Sequence, residues 1–148
     1  MRELSPSSRA AIAAARRTGS LDTPEYRAAA IEFYSRFVVG FVDDPVTTAD
    51  AVLDRQRSSA VFQHMQGADE LHADGALATW DRRDSLGAIR VPALVVVGEH
   101  DHMDVGCATE LRDGLAWAEL LVVERASHCP HLERPDVVLD RVGSWLPA

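Results

Sequence analysis

The chain has 148 residues, 47% of them apolar, enough for one domain with a real core and too many for wholesale disorder. Its formal charge is -8, which argues against binding to nucleic acid or to an anionic membrane surface. Two cysteines, Cys107 and Cys129, make no Cys-x-x-Cys pair and indicate no disulfide framework, so a reducing, cytoplasmic setting is expected. The N-terminal residues lack the apolar core of a signal peptide. No run reaches the roughly 18 apolar residues of a membrane span.

Residues 1–85 read as helices and loops. Ser7 to Arg17 is alanine-rich and predicts a short helix. Thr23-Pro24-Glu25 predicts a helix start: a capping hydroxyl, a proline in the first turn and an acid at the positive end of the dipole. Tyr26, Ala30, Phe33, Phe37 and Phe41 then recur at helical spacing as one aromatic stripe, which Asp43-Asp44-Pro45 is expected to stop. Further helices are expected from Thr48 to about Arg57 and from Ser58 to Met65, ending near Gly67.

The pattern changes near Trp80-Asp81. Val91 to Val97 is a continuous, mostly β-branched apolar run closed by Gly98, the pattern of a strand buried on both faces of a parallel sheet. Helical spacing follows from about Cys107 to Trp117, and Ala118 to Val123 reads as the next strand. Pro135 opens a last helix, with Val138, Leu139, Val142, Trp145 and Leu146 on one face. Strand, helix, strand, loop, helix is a βαβ unit with a terminal helix. Such a first strand expects a neighbour on each side, and only one is legible. The open edge therefore implies a covering partner, either a complementing N-terminal half or a second copy.

Asp101 follows the first strand and His128 follows the second, both at the edge where open α/β sheets bind ligands. A carboxylate that accepts a hydrogen bond from a histidine ring fixes its tautomer and stabilises the imidazolium. Acid before histidine is also the chain order of Ser-His-Asp α/β-hydrolases. The nucleophile is not legible. No serine stands in Gly-x-Ser-x-Gly, and neither cysteine has the required flanks. The chain thus reads as the rear half of an enzyme, expected to hydrolyse little by itself. Cys129 is expected to be a buried structural thiol. His100, His102 and Asp104, with His128 and His131, have spacings that can serve zinc. His100 and His102 flank Asp101 in a tight loop, so all three should not converge, and neither a metal site nor a cofactor is expected.

With these residues in view, the chain resembles the C-terminal half of a proline iminopeptidase of the α/β-hydrolase fold. The resemblance runs through Thr23-Pro24-Glu25-Tyr26 to Glu32-Phe33-Tyr34, Val61 to Met65 with Gly67-Ala68-Asp69-Glu70, Gly75 to Asp81, Val91 to Asp101, and Ser127 to Pro135. It implies a helical cap over residues 1–85 and the last two parallel strands of the hydrolase core over 86–148. It also implies release of N-terminal proline from a small peptide with a free N-terminus. Asp101 and His128 would be two members of the triad. Glu32 and Glu70 would hold the substrate amine, as a desolvated ammonium requires a paired carboxylate. Phe33, Tyr34, Phe62 and Trp80 are candidates to line a slot for the prolyl ring, although core packing is the commoner role. The rivals are another hydrolase of this fold (an esterase, or an epoxide or haloalkane type), a non-catalytic binding remnant, and an inert product of a frameshift or misplaced start.

Overall fold

The computed structural model describes residues 3–146. The described residues form two compact units, one of residues 3–35 with 44–80, the other of residues 36–43 with 81–146. The division after Trp80 lies earlier than residue 85, and the short segment 36–43 belongs with the second unit.

The first unit is helical. Helix α1 spans Pro6–Thr18: Ser5 caps its start by accepting from the Ser8 N–H at 3.2 Å. Gly19, at φ 71°, closes it in the left-handed conformation that glycine adopts without a Cβ penalty. Helix α2 spans Pro24–Phe37, with Thr23 Oγ1 accepting from the Tyr26 N–H at 3.2 Å. Helix α3 spans Pro45–Ser58 and α4 spans Ala60–Met65. Asp43-Asp44-Pro45 does not stop a helix, because α2 has already ended at Phe37. Asp44 accepts from the Thr47 N–H at 3.1 Å and Pro45 occupies the first turn, so this triplet starts α3.

The aromatic stripe holds as far as Phe37. Tyr26, Ala30 and Phe33 are buried, with Ala29 and Tyr34 beside them. Phe41 lies off the helix and is exposed, because α2 ends at Phe37, before Val38-Val39-Gly40, where two β-branched residues and a glycine lower helix propensity. At the centre of the unit Asp69 is fully buried. It accepts from the Tyr26 hydroxyl at 2.9 Å, the Leu71 N–H at 3.0 Å and the Arg57 guanidinium at 3.1 Å. Burial, then the Asp69 charge, push the Tyr26 phenol above its ordinary value. Asp69→Ala strands that hydroxyl and the guanidinium. The expected loss is about 3 kcal/mol, the low end for a buried pair because Arg57 is partly exposed. Urea unfolding of the full chain followed by far-UV circular dichroism measures it, and an unchanged midpoint would contradict it.

The second unit carries the sheet. A 3-10 helix over Arg83–Ala88, not legible in the sequence, precedes strand β1 over Ala93–Gly98. Helix α5 over Val105–Gly114, strand β2 over Ala118–Val123, the short α6 over Pro130–Glu133 and α7 over Pro135–Trp145 follow. The strands are parallel, from Ala93 against Ala118 to Gly98 against Val123, and among the described residues the sheet has these two strands. Val123, Ala126 and Val138 form the buried centre, packed by Val96, Leu121, Val137 and Val142.

Two expectations are corrected here. Strand β1 is not buried on both faces: Val97 and Gly98 are buried, and Ala93 to Val96 only partly, as follows from one paired edge. In α7 only Val138 is buried, while Leu139, and Leu146 just past the helix end, face solvent. No helix among the described residues is long and apolar enough to cross a membrane.

Candidate active site

The site grows from the C-terminal ends of β1 and β2. Past Gly98, the Glu99 N–H donates to the Val123 carbonyl at 3.0 Å and the His100 N–H to the Ala126 carbonyl at 2.9 Å, so the two loops run side by side. The approach depends on Gly98. A Cβ there would stand 2.0 Å from the Ser127 carbonyl oxygen and 2.5 Å from that of Ala126. Gly98→Ala is expected to cost about 3 kcal/mol, because the obstruction is backbone and cannot rotate away. Thermal unfolding checks it, and a melting temperature equal to that of the native chain would contradict it.

Asp101 and His128 meet as expected. The His128 Nδ1 lies 3.0 Å from Asp101 Oδ1 and 3.1 Å from Oδ2. The Asp101 side chain is 7% exposed and that of His128 41%, so the acid is shielded and the ring is open to an incoming molecule. Burial works against the Asp101 charge. The hydrogen bonds from His128 and from the Met103 N–H (2.8 Å) outweigh it and hold the carboxyl below its ordinary value. An ionised acid on Nδ1 leaves Nε2 as the basic nitrogen, which suits His128 to accept a proton from a nucleophile.

The loop that bears His128 is clamped by Glu133, a residue with no role expected from its pattern. Glu133 accepts from the Ser127 N–H at 2.5 Å, the Ser127 hydroxyl at 2.6 Å and the Phe41 N–H at 3.0 Å. Ser127 is fully buried, and its hydroxyl oxygen accepts from the Gly40 N–H at 2.9 Å. The His128 N–H donates to the Phe37 carbonyl at 3.1 Å. This explains why residues 36–43 fold with the sheet. An acid just before Arg134-Pro135 carries no pattern by which the sequence could single it out.

The other candidates fall as follows. The Glu32 carboxylate accepts from the Ser5 N–H at 2.8 Å and from the Ser5 and Ser8 hydroxyls at 2.7 and 2.5 Å, tying the start of α1 to α2. Glu70 accepts from the side-chain amides of Gln56 and Gln66 at 3.1 and 3.3 Å. Tyr34 is fully buried, donates to Gln56 and accepts from the Glu70 N–H, and Phe33 is 7% exposed. These two aromatics are core residues of the helical unit. Trp80 is 62% exposed and free to meet a ligand. Cys129, expected to be buried, is half-buried and Cys107 is exposed, and neither is in a disulfide.

His100, Asp101 and His102 do not all converge, as expected, but one of the two histidines does reach the pair. His100 turns away, its ring against Phe41 at 5.3 Å between centroids. His102 turns inward, its ring 4.7 Å from that of His128. Burial, then the nearby His128, lower the basicity of His102, and Asp101 opposes them.

The alpha/beta hydrolase family model matches residues 2–141. The chain belongs to the alpha/beta hydrolase family. Among members of this family, the proline iminopeptidase of Saccharolobus solfataricus is 26% identical over 130 residues, covering 86% of this chain and 41% of that protein. That of Thermoplasma volcanium is 29% identical over 118 residues, covering 80% of this chain and 40% of the relative. The crystal structure of the proline iminopeptidase of Mycobacterium smegmatis superposes with a TM-score of 0.80 at 32% identity, over 97% of this chain and 48% of that one. The structure of VinJ superposes at 0.82 with 30% identity, over 98% and 50%. This alpha/beta hydrolase chain thus spans about half the length of the relatives it matches. Its two strands and helices correspond to part of that fold.

Proposed function

We propose that this chain carries the acid and the base of a proline-iminopeptidase-like aminopeptidase. The observation that carries the reading is the His128 Nδ1 to Asp101 contact at 3.0 Å, at the ends of adjacent parallel strands. Its chemistry is that of a Ser-His-Asp triad. Asp101 orients His128, whose Nε2 takes the proton of a serine hydroxyl as that oxygen attacks the scissile carbonyl, then returns it to the leaving amine. The 148 residues hold no Gly-x-Ser-x-Gly, so the serine and the oxyanion donors come from a segment outside them, and the chain alone is inactive. The substrate is a small peptide with a free N-terminal proline. No cofactor enters this chemistry. Residues 1–85 act as the cap and 86–148 as core.

Amine anchoring falls to Glu70 more than to Glu32. Two amide donors on Glu70 can be exchanged for an ammonium, whereas three close donors engage Glu32. The occupied Glu32 favours one second reading: another hydrolase of this fold, whose substrate has no free amine. The two part on one measurement in the serine-complemented chain. Glu70→Gln raises KM for a free-amine prolyl peptide by about tenfold or more if Glu70 pairs with the ammonium. An unchanged KM, with faster cleavage of a simple ester, selects the second reading.

A further inference from the structure

We propose that Asp101, His102 and His128 form a site for a zinc-type transition-metal ion that competes with the acid–base pair. They are the one group of three metal-ligating side chains within mutual reach among the described residues. One ligand atom from each lies within 4.8 Å of the others. A tetrahedral zinc with bonds of about 2.0–2.1 Å spaces its ligand atoms about 3.3 Å apart, so a modest ring rotation closes the set. Two of the three already stand 3.0 Å apart, Asp101 Oδ1 and His128 Nδ1.

The ligand chemistry selects the ion. Two imidazoles and one carboxylate suit zinc and its neighbours, whereas calcium and magnesium prefer all-oxygen sets. Three protein ligands leave the fourth position to water. The 41% exposure of His128 gives the ion its way in, and the shielded Asp101 supplies the negative charge.

The competition rests on the proposed role of His128. Coordination through Nδ1 takes away the nitrogen that Asp101 holds. Coordination through Nε2 takes the lone pair that would accept the serine proton. Either way no base remains, and hydrolysis stops until the ion leaves.

The test is calorimetric titration of zinc chloride into the full 148-residue chain, in a buffer that does not bind metal. The expected result is one ion per chain, with binding weakened at least tenfold by His102→Ala and by Asp101→Asn, and unchanged by His131→Ala. No saturable binding, or native affinity in His102→Ala, overturns the site. Should a variant fail to fold, imidazole NMR of the native chain decides. Zinc must shift the His102 and His128 rings and spare His64, His72, His100 and His131; the reverse pattern overturns the site. Binding is read without substrate, so it stands or falls apart from the peptidase reading. In the serine-complemented chain, zinc must abolish hydrolysis and a chelator restore it. Hydrolysis that continues with zinc bound overturns the competition.

Discussion

Asp101→Asn lowers kcat for a prolyl substrate by roughly 10⁴-fold, with KM little changed, when the chain works with a segment that carries the Gly-x-Ser-x-Gly serine. The amide preserves the shape of the side chain and its Met103 N–H contact, but its nitrogen can donate where the carboxylate only accepts. An NH2 group facing Nδ1 favours the tautomer with its proton on Nε2, which cannot then take a proton from serine. Imidazolium formation also loses its counter-charge. Because the change acts on the chemical step, it belongs in kcat. Single-turnover kinetics of the Asn variant beside His128→Ala make the measurement. A loss under tenfold in the Asn variant would remove Asp101 from the reaction.

Glu133→Ala is the second large effect, and it reads first in stability. The alanine leaves three donors without their acceptor: the Ser127 N–H, the Ser127 hydroxyl and the Phe41 N–H. Ser127 is fully buried, so water does not replace the carboxylate at no cost. At about 1–3 kcal/mol for each stranded buried group, with Phe41 nearer to solvent, the total is about 3 kcal/mol. Freed from its clamp, the loop no longer fixes His128, and the hydrogen bond to Asp101 loosens. Glu133→Gln supplies one acceptor oxygen in place of two and falls between. Urea unfolding gives the first quantity and the His128 imidazole proton resonance the second. A Glu133→Ala chain with the native midpoint and native resonance would show that Glu133 is a surface acid.

The sequence made the sheet legible because β1 carries an unbroken apolar run closed by Gly98 and β2 an apolar run interrupted only by Glu119 and closed by Glu124, and the predicted β2 span, 118–123, is the observed one. The Asp101–His128 contact was legible for the same reason: two parallel strands of equal register put their following loops at one edge. What escaped was set by tertiary hydrogen bonds. Asp44 reads equally as a stop or a cap until the Thr47 N–H is seen on it. Phe41 keeps the helical spacing of Tyr26 and Phe33, yet the backbone leaves the helix at Phe37. Glu133 has no distinguishing pattern, and its grip on Ser127 shows only in the fold. His102 was legible as a possible metal ligand by its spacing, but not that its ring would lie against that of His128.

The role proposed for Asp101 and His128 is to serve a serine supplied by another segment in cleaving N-terminal proline. The most direct measurement joins this chain to an N-terminal segment that carries a Gly-x-Ser-x-Gly serine and follows release of p-nitroaniline from prolyl-p-nitroanilide. The expected result is turnover that needs both parts and that disappears with His128→Ala. A folded, joined protein that leaves the prolyl substrate intact, or one whose turnover survives His128→Ala, would contradict it.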